Sequence, residues 1–295
     1  MAASVSGTTA ARAALAASVV IWVVSWMPMK ASMAYIGPFD FVAWRYALGT
    51  VPLFIAAWLS GESLRMPAWG PVIVTGLFQT AMFQCLVQWA LVSGGAGKTS
   101  MMVYTMPFWT VLLAWAAFGQ RPRGRHWQGM LLAGAGLLCI IEPWRGVGTL
   151  SSAVLALGGG LAWAVGTLAA KRMFEQHQPG MLAFTAWQML IGTLAVIPVA
   201  WVVPQMAIQW NVSLLLGLAY CVLAATSLAW WLWLVALRGL PATVAALSGL
   251  GVPLGAVLLA WVVFGERPTP AGFAGILLVL GGLLRVNWAG RGRAS

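Results

Sequence analysis

The sequence predicts an all-α membrane protein of ten transmembrane helices, arranged as two inverted five-helix repeats. Its 295 residues are 61% hydrophobic and only 7% charged, whereas soluble globular proteins carry about 25% charged residues. The chain divides into ten apolar segments, most of them near the length of about 20 residues that a helix needs to cross a bilayer. A long stretch of sequence also occurs twice, which is typical of transporters built from two related halves.

The repeated stretch keeps one register. Residues 111–122 read VLLAWAAFGQRP and residues 257–268 read VLLAWVVFGERP, so the offset is 146 positions. The same offset joins three further pairs: Pro107 with Pro253, Gly129 with Gly275, and Gly136 with Gly282. The fourth predicted helix thus matches the ninth, and a separation of five helices reverses the direction in which the chain crosses the bilayer. Residues 1–145 and 146–295 are therefore predicted to be inverted copies of one unit.

Turn residues, mostly glycine and proline, separate the ten helices. The predicted helices span residues 13–35, 40–60, 68–91, 97–118, 126–142, 151–171, 180–203, 211–236, 241–263 and 270–288. The breaks between them are, in order, Gly37-Pro38, Gly61-Glu62, Gly94-Gly95, Arg121-Pro122, Pro143, Pro179-Gly180, Pro204, Gly239-Leu240-Pro241 and Pro268-Thr269-Pro270. Arg12 and the apolar run after it resemble a signal peptide. The run is long and tryptophan-rich and more spans follow, so we expect an uncleaved first helix.

The distribution of Lys and Arg predicts the orientation. With the N-terminus in the cytoplasm, eleven basic residues lie on the inner side and five on the outer side, and cytoplasmic loops are the ones enriched in Lys and Arg. We therefore expect both termini in the cytoplasm, with Arg121, Arg123 and Arg125 as the strongest anchor. These loops also explain the net charge of +11. Because no nucleic-acid-binding motif is present, we expect the lipid bilayer, and no nucleic acid, as a partner.

Several functional classes lack the residues that they need. Cys85, Cys139 and Cys221 lie in apolar runs without metal-ligand spacing, so we predict neither a metal site nor a disulfide framework. The two histidines lie in separate predicted loops and no nucleophile and base converge, so no catalytic residue and no cofactor is expected. Residues 94–99 resemble a phosphate-binding loop. Val92 stands where that motif needs glycine, and no nucleotide domain surrounds it, so ATP binding is not expected.

Pro107 and Pro253 are predicted near the middles of the fourth and ninth helices. Proline has no N–H, so the carbonyl groups of Val103 and Gly249, four residues earlier, lose their hydrogen-bond partner. In lipid these carbonyl groups would be costly, so we expect them to face protein or a water-filled cavity. Because both copies carry the proline at matching positions, we interpret the two prolines as gating kinks. A kink that serves only packing is the alternative.

Two basic residues within the predicted helices are candidate binding groups. An intramembrane cation usually faces the bundle interior and marks a substrate pathway, so Lys30 is a candidate for substrate binding or gating. The alternative is that its four-carbon chain reaches the outer headgroups. Arg45 is a similar candidate, and Asp40 is a candidate partner for either cation.

Polar side chains inside apolar segments form a second group of candidates for substrate binding. Gln84 and Gln88 lie four residues apart and share a helix face, and Gln79 lies on the same helix. Amide groups at membrane depth need hydrogen-bond partners, so these either bind the polar groups of a substrate or join helices. Five hydroxyl-bearing residues are candidates for the same region: Tyr104, Tyr220, Thr226, Ser227 and Ser248.

Tryptophan is abundant, with 19 residues. Those near segment ends are typical of membrane interfaces, whereas Trp22, Trp26, Trp163 and Trp230 are predicted to lie deeper. Trp22 and Trp163 also match between the two copies, at an offset of 141. The deep tryptophans are candidates for an aromatic-walled substrate cavity suited to apolar or cationic groups. Ordinary packing is the alternative for each of them.

These features resemble the EamA-type permeases of the drug/metabolite transporter superfamily. The resemblance rests on the five-plus-five repeat, on Trp22 followed by Lys30, on Arg45, and on Pro253 followed by Phe-Gly-Glu at 264–266. It implies small-metabolite transport, often amino-acid efflux, across the bacterial inner membrane. It also implies a substrate cavity lined by helices one, three, four, six, eight and nine. One departure is Gln120, where the first copy would carry glutamate, and this argues against a proton-carrying role at that end.

The leading hypothesis is a secondary transporter in which a small zwitterion, such as an amino acid, is exposed to each side in turn by alternating access. No Asp or Glu pair lies deep in a segment, so either transport is facilitated exchange or proton coupling uses another group. One alternative is an anionic-metabolite transporter that uses Lys30 and Arg45. More distant alternatives are an integral membrane enzyme and a structural or receptor role. We expect a monomer or a homodimer that binds a small-molecule substrate.

Overall fold

The computed structural model describes residues 5–119, 121–122, 124–142, 144, 150–177, 179–240, 248–249 and 251–288. These described residues form helices joined by turns and loops, without a β-strand. We number the helices in chain order. They are α1 (Val5–Ser32), α2 (Pro38–Leu59), α3 (Trp69–Ser93), α4 (Ala96–Phe118), α5 (Gly124–Ile141), α6 (Leu150–His177), α7 (Met181–Val202), α8 (Val212–Ala219, Tyr220–Leu228 and Ala229–Gly239, continuous), α9 (Gly251–Phe264) and α10 (Pro270–Trp288).

Seven helices in the described part of the chain are long and apolar enough to cross a membrane. They are α1, α2, α3, α4, α6, α7 and α8. Three apolar helices among the described residues are shorter: His126–Ile141 in α5, Gly251–Phe264 in α9 and Pro270–Arg285 in α10. Many large apolar side chains are exposed, and Trp58, Trp69 and Trp144 are among them, as expected at a membrane interface. The chain is a multi-pass membrane protein.

The predicted helix bounds differ from the observed ones mainly in two places. α1 begins at Val5 rather than residue 13, and α6 continues to His177 rather than ending at residue 171. Hydrophobic patterning detects the part of a helix that meets lipid, and it misses a polar continuation. In α6 that continuation is held because Met173 is fully buried and packs with Val72 and Phe184. The predicted start of the ninth helix, at residues 241–247, lies outside the described residues.

The packing of the helices follows the sequence repeat. α5 packs against α10 and α2 packs against α7, so each of these pairs joins equivalent helices of the two halves. α1 packs against α8 and α9, while its equivalent, α6, packs against α3 and α4. α4 also packs against its own equivalent, α9. This set of contacts is unchanged when the two halves exchange places.

Glycines bring α5 and α10 into close contact. A Cβ atom added at Gly136 would lie 2.6 Å from the carbonyl oxygen of Gly275, and one added at Gly275 would lie 2.5 Å from the carbonyl oxygen of Gly136. A Cβ atom at Gly282 would lie 2.5 Å from the carbonyl oxygen of Gly129. These are the glycines that the repeat pairs, so the two contacts are equivalents of each other. Small residues permit such close approach of membrane helices.

The N-termini of α2 and α7 are capped reciprocally. Glu62, which follows α2, accepts a hydrogen bond from the backbone N–H of Ala183 in α7 at 2.9 Å. Gln205, which follows α7, accepts hydrogen bonds from the backbone N–H groups of Phe39 and Asp40 in α2 at 2.9 and 3.4 Å. An offset of 143 relates Glu62 to Gln205 and Asp40 to Ala183. Each half therefore supplies the side chain that satisfies helix-terminal amides of the other half.

Two helices contain π-helical segments at equivalent positions. α3 is π-helical at Gly76–Met82 and α8 at Tyr220–Leu228, and the offset of 146 places the first segment inside the second. Both segments are tightly packed: Gly49 of α2 lies against Thr226 in α8, and Gly192 of α7 lies in the same way against α3. Because π-helical turns occur frequently at functional sites, these segments indicate a candidate site in the interior between α1, α3, α6 and α8.

Candidate functional site

Three of the tryptophans predicted to lie deep meet in one cluster. The ring centroid of Trp22 in α1 lies 5.8 Å from that of Trp230 in α8, edge to face. Trp230 is stacked at 6.4 Å on Trp163 of α6. Trp233 lies 5.4 Å from Trp22, and Phe83 lies 4.7 Å from Trp163. Such separations are typical of favourable aromatic pairs. These five residues, here called the aromatic cluster, join α1, α3, α6 and α8.

Hydrogen bonds from indole and phenol groups fix α1 against the π-helical segment of α8. Trp22 Nε1 donates to the carbonyl oxygen of Ala225 at 3.1 Å. The hydroxyl of Tyr220 donates to the carbonyl oxygen of Ile21 at 2.9 Å. Both bonds cross from one half of the chain to the other, so the two predicted site residues Trp22 and Tyr220 also hold the halves together.

Arg45 is buried, with 5% of its surface exposed, and reaches α1 and α8 from α2. Its Nε donates to Thr226 Oγ1 at 2.9 Å, and its Nη1 lies 3.4 Å from Met29 Sδ. The guanidinium carbon lies 5.2 Å from the ring centroid of Tyr46. The expected pairing of Asp40 with Arg45 or with Lys30 is not found among the described residues. Arg45 therefore has neutral neighbours.

The three glutamines of α3 have different surroundings. Gln79 Nε2 donates to Thr167 Oγ1 of α6 at 3.4 Å, so this side chain joins two helices. Gln84 and Gln88 are buried, and neither Gln84 Oε1 nor either amide atom of Gln88 has a hydrogen-bond partner in the described part of the structure. A buried amide without a partner costs free energy. Gln84 and Gln88 are therefore the amides that a ligand or water can satisfy.

Lys30 joins α1 to the last turn of α3. Its Nζ donates to the carbonyl oxygen of Leu91 at 2.7 Å, and the lysine is half-buried. The last carbonyl groups of a helix lack intrahelical partners, and a cation is favourable there. Helical periodicity places Leu91 on the same face of α3 as Gln84 and Gln88. Lys30 thus lies at one end of a row of polar groups that faces the bundle interior.

Pro107 interrupts α4, as predicted. The helix breaks after Val103 and resumes at Met106, so Pro107 lies in the first turn of the second part. The carbonyl oxygen of Val103, which proline deprives of a helical partner, faces α6: a Cβ atom at Gly160 would lie 3.0 Å from it. This agrees with the expectation that the carbonyl faces protein. Tyr104 lies at the break and packs against the same hydrophobic core as Trp22 and Trp163.

Pro253 of α9 is the equivalent proline of the second copy. α9 begins at Gly251, so Pro253 lies in its first described turn and is buried. Residues 241–247 and 250 lie outside the described residues, so a kink at Pro253 stays a prediction. Ser248 is helical and half-buried. Gln120, the departure from the family pattern, also lies outside the described residues.

The acidic side chains lie at helix ends, away from the aromatic cluster. Glu142, 2% exposed, accepts hydrogen bonds from Lys98 at 3.2 Å and from Thr269 at 2.8 Å. Glu266 accepts from the backbone N–H groups of Ala96 and Gly97 at 3.0 and 3.1 Å. The glycine-rich stretch that resembles a phosphate-binding loop is thus a helix N-terminus that a carboxylate already caps.

A cavity of about 260 Å³ opens at these same helix ends, lined in part by Lys98, Glu266 and Arg267. Its lining shares no residue with the aromatic cluster. Among the residues that the structure describes, no group of three or more His, Cys, Asp or Glu side chains could hold a metal ion. The polar groups described above for the interior are amides, hydroxyls, indoles, Lys30 and Arg45.

Two parts of the site were not predicted from the sequence. Gln188 of α7 is 3% exposed and its Oε1 has no partner among the described residues. It stands at the repeat position of Arg45, at the offset of 143, so the repeat was the signal that could have identified it. Trp233 and Phe83 complete the aromatic cluster. Trp233 follows Trp230 by three residues, a spacing that puts both rings on one helix face.

Comparison with known proteins identifies the family of the chain. The chain matches the EamA-like transporter family twice, over residues 10–142 and 150–288. It is 31% identical to the uncharacterized transporter YwfM of Bacillus subtilis (strain 168) over 264 residues, and this aligned region covers 86% of each chain. It is 26% and 24% identical to probable amino-acid metabolite efflux pumps of Salmonella typhimurium and Escherichia coli (strain K12), over 90% of each chain.

A solved structure supports the fold. The crystal structure of a protein with 20% sequence identity superposes with a TM-score of 0.67 and covers 98% of each chain. These three relatives are named as transporters or efflux pumps, not as enzymes. The two family matches together span most of the sequence, so the chain belongs to the EamA-like transporter family.

Proposed function

We propose that this protein is a secondary transporter of small metabolites that works by alternating access between two inverted repeats, residues 1–145 and 146–295. The observation that carries the proposal is the reciprocal contact of equivalent residues in α5 and α10. Two inverted copies around one site can exchange conformations, which opens the site to each side of the membrane in turn. The reciprocal caps of α2 and α7 and the double family match support the same division.

In the proposed arrangement all ten helices cross the membrane and both termini lie in the cytoplasm. The excess of Lys and Arg at the proposed inner helix ends supports this orientation. α5, α10 and the described part of α9 are shorter than the other seven helices, and α5 and α10 pack closely along each other, which shields part of each from lipid. Location in the bacterial inner (plasma) membrane, as a monomer or a homodimer, is part of the proposal.

We propose amino acids or related metabolites as the substrates, which are exported or exchanged. Two relatives named as probable amino-acid metabolite efflux pumps support this class. The aromatic cluster offers an apolar wall, and Gln84 and Gln88 offer buried amide atoms without partners. Ligand pockets commonly combine such apolar walls with a few polar groups. In this site Pro107, where α4 breaks, and Pro253 are the proposed points at which the helices bend to open and close the path.

The positions of the acidic residues support facilitated exchange. Transporters that couple to protons commonly use a buried carboxylate, whereas all five carboxylates here lie at helix ends, and those of Glu62, Glu142, Glu175 and Glu266 bind backbone amides or basic groups. We therefore propose that substrate moves down its own gradient or in exchange for another molecule of its class.

Counterflow in proteoliposomes tests the proposal. Vesicles that contain the purified protein and an unlabelled amino acid should accumulate the same labelled amino acid, equally with and without a pH gradient. Strictly proton-dependent accumulation would overturn the facilitator mechanism. Absence of flux for every member of a metabolite panel would overturn the transporter proposal, provided that a cooperative melting transition shows the purified protein to be folded.

An anionic-metabolite transporter of the same fold is the second candidate. It is favoured by the two cations that reach the bundle interior, Lys30 and Arg45. Competition for flux by anionic analogues, abolished in Lys30→Gln, would favour this candidate. Equal competition in the wild type and in Lys30→Gln would count against a direct role of Lys30 in binding an anion.

A further inference from the structure

We propose that Arg45 recognises the negative charge of the substrate and that its ligand is a carboxylate. The inference rests on the proposed function and names a chemical class for its substrate. Arg45 lies inside the protein with only neutral contacts: the hydroxyl of Thr226, the sulfur of Met29 and the ring of Tyr46. Its Nη2 has no hydrogen-bond partner among the described residues. The guanidinium thus keeps free donors and an uncompensated charge.

No carboxylate of the described chain compensates Arg45. The sequence has five acidic residues, and all of them are described. They have other environments: Glu62 and Glu266 cap helices, Glu142 binds Lys98, Glu175 pairs with Lys171, and Asp40 lies in the first turn of α2 outside ion-pair distance of Arg45. A buried cation without a partner is costly in a membrane protein, and such residues usually mark a substrate pathway. A bound anion would remove that cost.

The charge is present in only one of the two copies. The repeat position of Arg45 in α7 is Gln188, which is also buried. The same packing position therefore accommodates a neutral side chain, so the fold does not require a cation there. A charge that packing does not require points to a ligand.

Arg45 and the aromatic cluster bind neighbouring residues of α8. Thr226 accepts the hydrogen bond from Arg45, and the carbonyl group of Ala225 accepts the hydrogen bond from Trp22. Both residues belong to the π-helical segment. An anionic group that pairs with Arg45 would therefore lie beside the residue of α8 that binds the indole of Trp22.

The available charge favours a carboxylate over a phosphate. A guanidinium presents paired donors that match a carboxylate in a bidentate manner. A phosphate dianion would call for a second free cation. Lys30, the basic residue that follows Met29 in α1, already donates to Leu91. One guanidinium and one carboxylate balance each other.

Matched pairs of ligands test the inference. The melting temperature of the purified full-length protein is measured with the L-amino acids, with the corresponding amino-acid amides, which lack the carboxylate, and with inorganic phosphate. In the wild type the acids should raise the melting temperature more than their amides or phosphate. Arg45→Gln, which copies the residue at the equivalent position, should lose this preference, with at least about tenfold weaker binding of the acids. Arg65→Gln removes an exposed arginine and should keep it.

The outcomes that contradict the inference are distinct from failure of the proposed function. The inference is overturned if the acids and their amides raise the melting temperature equally, if phosphate raises it more, or if no acid raises it. It is also overturned if Arg45→Gln keeps the preference for the acids. Without ligand, Arg45→Gln should melt at or above the wild-type temperature, because it removes an uncompensated charge. A large fall, rescued by Arg45→Lys, would instead assign Arg45 a structural role. The proposed function fails separately, if vesicles show no flux of any metabolite.

Discussion

Gly136 of α5 and Gly275 of α10 approach so closely that neither position has room for a Cβ atom. The repeat relates this contact to a second one, between Gly282 of α10 and Gly129 of α5. One packing arrangement therefore occurs twice along the same helix pair, with the two helices in exchanged roles. This relationship connects a pattern in the sequence to the way in which the halves are joined.

Gly275→Ala should destabilise the protein by about 1–3 kcal/mol, because overpacking forces the helices apart. The new methyl group would lie 2.5 Å from the carbonyl oxygen of Gly136. Gly281→Ala, on the same helix, is the matched control, since a Cβ atom there has no neighbouring atom within 4 Å. The control should be neutral or more stable, because alanine favours helix. Thermal unfolding in detergent measures both, and equal changes would contradict the contact.

Removal of either reciprocal cap should destabilise the helix that it caps, which belongs to the other half of the chain. Gln205→Ala should destabilise the start of α2, and Glu62→Ala the start of α7, each by about 1 kcal/mol, as for other lost helix caps. Glu62→Gln keeps an acceptor for the N–H of Ala183 and should lose less. Hydrogen exchange resolved by peptide measures the effect locally. Faster exchange at the start of α7, rather than α2, in Gln205→Ala would argue against reciprocal capping.

Trp163→Ala should weaken substrate binding about tenfold, a change of about 1.4 kcal/mol. Trp163 contacts both Phe83 and Trp230 of the aromatic cluster, so its loss removes part of the proposed apolar wall. Trp58→Ala is the control, because Trp58 is 67% exposed. The apparent affinity in counterflow measures the difference. If the two variants bind equally well, the aromatic cluster is packing and not a binding surface.

Pro107→Ala should slow transport more than it weakens binding. Alanine restores the backbone N–H that a continuous helix needs, so the break between Val103 and Met106 becomes less favourable. Maximal flux should fall several-fold while the melting-temperature response to substrate persists. Unchanged flux would mean that the break serves packing alone.

The sequence predicted the helices well because the bilayer imposes a simple rule on length and polarity. The offset of 146 also paired the glycines that join α5 to α10. It could not reveal that Glu62 and Gln205 cap helices, since a cap depends on where distant chain ends meet. The π-helical segments at Gly76–Met82 and Tyr220–Leu228 carry no local signal of their own.

The candidate site was predicted in part. Trp22, Trp163 and Trp230 were expected to be deep, and they do meet. The environment of Arg45 could not be predicted from the sequence. Hydrophobic periodicity identifies the apolar face of a helix, but it does not show which neutral groups surround a charged side chain. Gln188 was not predicted, because nothing in its local sequence distinguishes it; only the offset of 143 that relates it to Arg45 does.

The sidedness of two equivalent residues tests the inverted repeat most directly. Ser63 and Met206 are both exposed and are related by the offset of 143. Cysteines introduced at these positions, in a protein without its native cysteines, are labelled in intact cells with a membrane-impermeant thiol reagent. We expect Met206→Cys to react from outside and Ser63→Cys to react only after the membrane is permeabilised. Reaction of both from the same side would contradict two inverted halves.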